Sequence, residues 1–239
     1  SALGIAPVHA LPGVGENLQD HLQIRSIWRV ENTVTLNRRA RTLWGKALMG
    51  LEYLAFRTGP LTMPPSQLGA FAKSDEAQPT PNMEWHVQPL SLDQFGSPLH
   101  SFNAITPSVC NLRPASRGAI TAQSLDPLMA PKINLNYLSS PEDEAVALAG
   151  LRMTRRIMKA KALARFLPEE WKPGPERQSD AELLDAARDL GTTIFHPVGT
   201  CKMGAADDRM AVVGPECRVI GVEGLRVADS SIFPRITNG

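Results

Sequence analysis

Proline occurs 20 times among the 239 residues and is found in every third of the chain. A proline interrupts a helix interior and has no N–H group to donate to a sheet. The chain is therefore expected to form short elements joined by many stiff connections. Because 43% of its residues are hydrophobic, it can still bury a sizeable core. We predict an α+β fold in which helices back an antiparallel sheet.

Three segments have the spacing and the end signals of helices. Apolar residues recur at helical intervals over residues 43–56, and the Gly-Pro pair at 59–60 ends the pattern. Ser-Pro at 140–141 starts a long second helix, and the capping box at 179–182 starts a third that ends before Gly191. The predicted buried stripe of the second helix is Val146, Gly150, Met153 and Ile157. Its predicted solvated face is Arg152, Arg155, Arg156 and Lys159.

Strands are predicted where β-branched and aromatic residues lie between turn-forming residues. Residues 83–90, 104–112 and 118–124 have this composition and are bounded by Pro, Gly, Asn and Asp. Residues 224–228 are predicted to form a short buried strand that ends in a polar turn.

Charge and cysteine content exclude several classes of partner. Lys and Arg total 25 against 24 Asp and Glu, so no bulk field attracts nucleic acid or an anionic membrane. No apolar run approaches the roughly 20 residues that span a bilayer. Three cysteines at wide spacing argue against a disulfide framework, and we expect a cytoplasmic protein. Because residue 3 leads directly into a turn-rich motif, we expect that further sequence precedes the chain.

Residues 13–18, GVGENL, match two glycines of a dinucleotide-binding fingerprint. Leu18 occupies the third glycine position, and Pro12 lies where the preceding strand should end. We therefore interpret the segment as a glycine turn whose polar neighbours Asn17, Gln19 and Asp20 bond backbone groups.

The segment with the most chemical content is FHPVGTCKMG at residues 195–204. Pro197 keeps His196 out of a helix, and an imidazole can exchange a proton near neutral pH as a general base must. A structural histidine bonded to backbone carbonyls is the equal alternative from spacing alone. A zinc site with Cys201 and Cys217 lacks a Cys-x-x-Cys pair, and no oxyanion hole marks a Cys201–His196 hydrolase. We assign no metal site.

A third candidate segment covers residues 224–234, GLRVADSSIFP. Asp229 and Ser230 lie where a strand is predicted to end. Asp and Ser at such junctions usually bond local amides, so capping is favoured over ligand binding from the residues alone.

Four segments together resemble the glucose-methanol-choline (GMC) oxidoreductases, in their branch of choline and alcohol dehydrogenases. They are residues 11–21 (LPGVGENLQDH), residues 110–118 (CNLRPASRG), residues 196–204 and residues 222–234. The resemblance covers nearly the whole chain and implies an FAD-dependent oxidoreductase. It implies that residues 1–22 belong to the FAD-binding half, 23–190 to the substrate-binding domain and 191–239 to the catalytic segment and the incomplete end of the FAD-binding domain.

The resemblance also implies roles for three residues. His196 accepts the proton of an alcohol while hydride passes to the flavin, and Asp229 with Ser230 lies beside the cofactor. The family's second active-site residue follows the glycine that matches Gly239, so it lies beyond this chain. Without that residue and the N-terminal dinucleotide-binding half, the chain alone is expected to be inactive.

The resulting hypothesis is the oxidation of a primary alcohol to an aldehyde, with electrons passed to an acceptor other than oxygen. Glu84 and Trp85 are the candidate contribution to a site for a quaternary ammonium group such as that of choline. The alternatives are a noncatalytic ligand-binding module and, ranked last, a Cys-His hydrolase.

Overall fold

The computed structural model describes residues 3–64 and 66–238. Residue contacts divide it into two units. The first unit combines the residues up to Leu22 with Leu112–Glu144 and the residues from Thr193 on, and the second consists of Gln23–Asn111 and Ala145–Thr192. The assignment of chain segments to flavin-binding and substrate-binding domains stays a prediction.

The second unit contains a sheet whose longest strand pairs antiparallel on both sides. Its strands are β1 (Leu22–Arg25), β2 (Ile27–Arg29), β3 (Leu68–Ala72), β4 (Met83–Gln88), β5 (Ala104–Asn111), β8 (Glu169–Lys172) and β9 (Gly191–Thr193). The order is β3-β4-β5-β1-β9, while β2 pairs with β5 and β8 pairs with β2. Strand β5 runs antiparallel to β4, β1 and β2. The predicted fold class is confirmed.

Two helices, α2 (Leu43–Phe56) and α4 (Asp180–Leu190), have the predicted bounds. Helix α2 comes after a short helix, α1 (Leu36–Arg39), which was not predicted. Helix α4 has the complete capping box at its N-terminus. In α2 only Met49 is buried among the described residues, while the apolar residues Leu43, Leu51 and Leu54 are exposed.

Helix α3 (Pro141–Met158) also forms as predicted, but its buried face differs from the predicted stripe. The buried residues are Asp143, Ala147, Gly150, Leu151, Thr154 and Met158, whereas Ile157 is 40% exposed. Two of these are polar and have buried partners, because Trp85 Nε1 donates to Thr154 Oγ1 and the amides of residues 115 and 116 donate to Asp143. The pattern of apolar residues along the sequence cannot reveal such polar pairs.

Arg155 was predicted to lie on the solvated face, and this is wrong. Its Nε lies 3.0 Å from both carboxylate oxygens of Glu170, and its Nη2 donates to the Gly174 carbonyl. The guanidinium has a partly buried carboxylate and a carbonyl as partners, which explains why it leaves the solvent.

The first unit contains the hairpin of β6 (Ala119–Thr121) and β7 (Lys132–Asn134). Val212, Val213 and Val219 form its buried cluster. The predicted strand at residues 224–228 is wrong, since Arg226 makes only an isolated bridge to Arg218 and Leu225 is 51% exposed. A short 3₁₀ helix follows at Ser230–Ile232.

Within the described ranges no helix is long and apolar enough to cross a lipid bilayer. All three cysteines are free thiols.

Gly150 provides a test of how α3 packs on the sheet. A Cβ at this position would lie 3.0 and 3.1 Å from the two Val109 methyl groups, while a Cβ at Gly50 in α2 meets nothing within 4 Å. Gly150→Val is expected to lower the free energy of unfolding by about 1–3 kcal/mol through overpacking. Gly50→Val should change it by less than about 0.5 kcal/mol. Urea unfolding measures both, and equal effects would contradict this packing.

Candidate active site

The four motif segments are joined through their backbones in the first unit, the fourth through the Cys201 amide, which donates to the Ser231 carbonyl. The Gly15 amide donates to the Thr200 carbonyl at 2.8 Å, and Gln19 and Val198 exchange both of their backbone hydrogen bonds. Leu18 and Gly118 exchange a second such pair. The segments that carry the family resemblance are therefore one connected piece of backbone.

Glycine is required where these segments approach each other. Gly15 has a φ of +83°, and a Cβ on it would lie 2.3 Å from the Ile120 carbonyl oxygen. Gly199 has a φ of +97°, and its Cβ would lie 2.5 Å from the Asn17 carbonyl oxygen. Both are left-handed conformations that also leave no room for a side chain. The glycine-turn interpretation of residues 13–18 is confirmed, and its polar residues bond backbone groups far along the chain.

The Asp20 carboxylate connects this turn to the histidine segment. Asp20 is 4% exposed and accepts hydrogen bonds from the hydroxyls of Tyr137 and Thr193 on Oδ2. Its Oδ1 accepts from the backbone N–H of His196 at 3.0 Å. A buried carboxylate with three donors is well satisfied, and its bond to the amide holds the backbone of residue 196 in place.

Tyr137 stays a hydrogen-bond donor over a wide pH range. Burial, followed by the hydrogen bond and the negative charge of Asp20, raises the pKa of Tyr137. A neutral phenol can donate to the carboxylate, whereas a phenolate could not.

The ring of His21 lies between the backbone carbonyl of Leu112 and the ring of His196. Its Nδ1 is 3.3 Å from His196 Nδ1, and its Nε2 is 3.3 Å from the Leu112 carbonyl oxygen. The two rings meet edge to face, with centroids 5.5 Å apart and an interplanar angle of 74°. His21 is buried and His196 is exposed.

These contacts select the tautomers of both neutral imidazoles. A carbonyl oxygen only accepts, so His21 carries its proton on Nε2 and presents a lone pair at Nδ1. His196 then donates from Nδ1, which leaves its Nε2 without a proton. The result is an exposed ring with a free basic nitrogen. Among the described residues, the ring of His196 bonds to His21 and not to a backbone carbonyl. The choice between a structural and a catalytic histidine stays a prediction.

Asp229 and Ser230 lie in a turn that is fastened to the histidine segment. Asp229 caps the 3₁₀ helix by accepting from the Ser231 amide at 2.8 Å, and the hydrogen bonds with Ser231 lower the pKa of Asp229. Ser230 Oγ donates to the Pro197 carbonyl at 3.0 Å, and the Cys201 amide donates to the Ser231 carbonyl. Both predicted cofactor residues are exposed. The capping role is confirmed for Asp229 and not for Ser230, whose hydroxyl bonds a distant carbonyl. The cofactor role of both stays a prediction.

Other predicted candidates are not brought together. Among the described residues, the one metal-ligating group of three is Glu84, His86 and Cys110, which includes neither Cys201 nor Cys217. Glu84 and Trp85 are neighbours on β4 and so point to opposite faces of the sheet, which prevents them from holding one ligand together.

Gly239, which marks the position before the family's second active-site residue, lies outside the described residues. His21 and the long-range role of Asp20 were not predicted from the sequence. The available signal was the pair's place in the motif at residues 11–21.

Comparisons with known proteins identify the family of the chain. A family model described as GMC oxidoreductase matches residues 114–239. An oxygen-dependent choline dehydrogenase of Brucella ovis is 42% identical over 236 residues, which cover 99% of this chain and 43% of that protein. The corresponding protein of Vibrio vulnificus is 37% identical over 236 residues, covering 99% of this chain and 42% of its own length.

Solved structures give the same result. A formate oxidase aligns with a TM-score of 0.87 and 26% identity over 98% of this chain and 45% of that chain. A pyridoxine 4-oxidase from Mesorbium loti aligns with a TM-score of 0.79 and 25% identity over 100% of this chain and 42% of that chain. The chain belongs to the GMC oxidoreductase family, whose members are FAD-dependent oxidoreductases. It spans about two fifths of the length of these relatives.

Replacing Asp20 tests whether its carboxylate holds the site. Asp20→Asn leaves an amide facing donors, so it should lower the free energy of unfolding by about 1–3 kcal/mol. The control Asp126→Asn alters an exposed aspartate that accepts from the Leu128 amide, and it should cost less than about 0.5 kcal/mol. Urea unfolding measures the free energy of unfolding of both variants. If Asp20→Asn lowers it no more than Asp126→Asn does, the Asp20 carboxylate does not hold the site together.

The raised pKa of Tyr137 predicts a pH dependence of stability. The unfolded phenol titrates near about pH 10, and the folded one above that value. Its stabilising contribution is therefore complete below about pH 10 and is lost as the pH rises further. Tyr137→Phe should flatten the fall of unfolding free energy as the pH rises above about 10, measured against the parent protein. Parallel curves for parent and variant would contradict the assignment.

Proposed function

We propose that this chain is the C-terminal part of an FAD-dependent enzyme that oxidises a primary alcohol to an aldehyde. In this proposal His196 is the catalytic base. The observation that carries it is the hydrogen-bonded series from the Leu112 carbonyl through His21 to His196, which leaves Nε2 of an exposed imidazole free to accept a proton.

The proton of the substrate hydroxyl passes to His196 Nε2 as the carbon–hydrogen bond breaks. The imidazolium that results keeps its Nδ1–H bond to the lone pair of His21, so the ring does not turn away when it gains charge. Asp20 holds the backbone amide of the same residue. Asp20 thus fixes the backbone of His196, and His21 fixes its Nδ1. Because the ring is already oriented, proton transfer to Nε2 needs less reorganisation.

The residues present fit the polar groups of a dinucleotide cofactor. Asp229 and Ser230 expose a carboxylate and a hydroxyl on a turn that is hydrogen bonded to Pro197 and Cys201. These oxygens can bond to ribose hydroxyls and other polar groups of FAD. Ser230 is hydrogen bonded to Pro197, which directly follows the proposed base His196. FAD, when bound, supplies the acceptor for the hydride that leaves the substrate carbon.

The substrate class rests on the family and on the chemistry of the base. The relatives named above are choline dehydrogenases, and the solved structures are a formate oxidase and a pyridoxine 4-oxidase. The proposal stays at the level of a primary alcohol, because Trp85 faces α3 through its bond to Thr154 and cannot join Glu84 around an ammonium group. The relatives' names specify oxygen dependence, and the expectation of another electron acceptor is not retained.

His196→Ala tests the proposed base in the intact protein that carries this chain. The kcat for alcohol oxidation should fall by about a hundredfold to ten-thousandfold, because proton abstraction is lost. Flavin absorbance of the purified variant should be unchanged, which separates loss of the base from loss of the cofactor.

The matched control is His9→Ala, which removes another exposed imidazole of the first unit. It should leave kcat within about twofold of the parent, since surface substitutions away from a site have small effects. If the protein binds no flavin, or if His196→Ala keeps the parental kcat, the proposal is wrong and a noncatalytic ligand-binding role is favoured.

A further inference from the structure

Three potential metal ligands lie together in the second unit, away from the residues of the proposed base. Glu84 and His86 are two residues apart on β4, and Cys110 on β5 lies directly opposite Glu84. A carboxylate oxygen, an imidazole nitrogen and the Cys110 sulfur all lie within 4.8 Å of one another. Ligands around a single zinc ion are separated by less than this, so small side-chain rotations suffice to close the set.

The strand pattern places these ligands on the face of the sheet that α3 does not cover. Val109 contacts Gly150 of α3, and Trp85 bonds to Thr154 of the same helix. Because side chains alternate along a strand, the neighbours of Trp85 and Val109 point to the opposite face. Cys110 is 2% exposed, while the side chains of Glu84 and His86 are 17% and 28% exposed. The cluster thus has a buried end and an open side through which an ion can enter.

Three polar atoms on this face are buried without a hydrogen bond: His86 Nε2, Ser108 Oγ and Arg25 Nη1. His86 Nε2 is buried and 3.3 Å from Glu84 Oε1, yet it makes no hydrogen bond. Ser108 lies opposite His86 in the register, is 0% exposed, and its Oγ makes no hydrogen bond. Buried groups without partners are uncommon in folded proteins and call for a ligand or ordered water.

The nearby cation is directed away from the cluster. Arg25 lies opposite Ser108 on β1, but its Nη2 donates to Gln88 Oε1 and its guanidinium stacks on Phe95 at 4.3 Å. Gln88 is at the end of β4 that is farther from Glu84. The Nη2 atom of Arg25 is therefore held toward Gln88, while its Nη1 is buried without a hydrogen bond.

We propose that Glu84, His86 and Cys110 form a binding site for a single thiophilic divalent cation, with Zn²⁺ as the best match. Sulfur and imidazole ligands with one carboxylate suit zinc and exclude Mg²⁺ and Ca²⁺, which prefer all-oxygen sets. Three protein ligands leave the fourth tetrahedral position for a water molecule on the side of Ser108. Binding displaces the thiol proton of Cys110 to solvent and forms the sulfur–zinc bond. The site does not depend on the proposed oxidation.

Equilibrium dialysis of the intact protein against micromolar Zn²⁺, followed by metal analysis, tests the site. The parent should bind one more equivalent than either His86→Gln or Cys110→Ser, and each variant should bind this ion at least about tenfold more weakly. The matched controls Cys201→Ser and Cys217→Ser remove the other two thiols and should keep the full equivalent. Circular dichroism of each variant establishes that it is folded.

A second measurement identifies the sulfur ligand. Co²⁺ in place of Zn²⁺ should give a thiolate-to-cobalt charge-transfer band in the difference spectrum, and the band should be absent in Cys110→Ser and present in Cys201→Ser. If Cys110→Ser does not fold, His86→Gln and Glu84→Gln provide the same comparison by dialysis. No bound equivalent in the parent, or binding that survives His86→Gln and Glu84→Gln, overturns the proposal.

Discussion

The arrangement around His196 depends on the buried carboxylate of Asp20. Its two oxygens accept from Tyr137, from Thr193 and from the amide of His196, which lie in two segments far from Asp20 in the sequence. Each donor would be costly to bury alone, and the single acceptor satisfies all three. Because the backbone of His196 is fixed in this way, its ring can be positioned by one further contact, the one with His21. The exposed imidazole of His196 is thus supported by buried polar groups and not by a hydrophobic core.

This support explains why four separated motifs characterise the chain. The turn at residues 11–21 supplies the carboxylate and the second imidazole, and the segment at 196–204 supplies the proposed base. Gly118 pairs with Leu18, and the 3₁₀ helix at Ser230–Ile232 bonds to the segment at 196–204. Glycine is needed at 15 and 199 because carbonyl oxygens occupy the space of a side chain. The motif residues keep several backbone segments in contact, and only a few of them take part in the proposed chemistry.

The sequence predicted the elements whose signals are local. Helices α2 and α4 have a clear start and stop within a few residues, and β4 and β5 have apolar residues between turn formers. The face of α3 was not predictable in the same way, because Thr154 is buried by a partner 69 residues earlier in the chain. The same reason applies to Asp20, whose nearest partner in sequence is 117 residues away. A search for local capping partners assigns such residues to turns and cannot find the contacts that fix a site.

The contact with His21 holds the His196 ring in the tautomer whose Nε2 carries no proton. Nitrogen-15 NMR of the histidine side chains measures this directly, with assignments from His21→Ala and His196→Ala variants. For the neutral rings, we expect a proton on Nδ1 of His196 and on Nε2 of His21. A spectrum in which neutral His196 carries its proton on Nε2 would contradict this expectation.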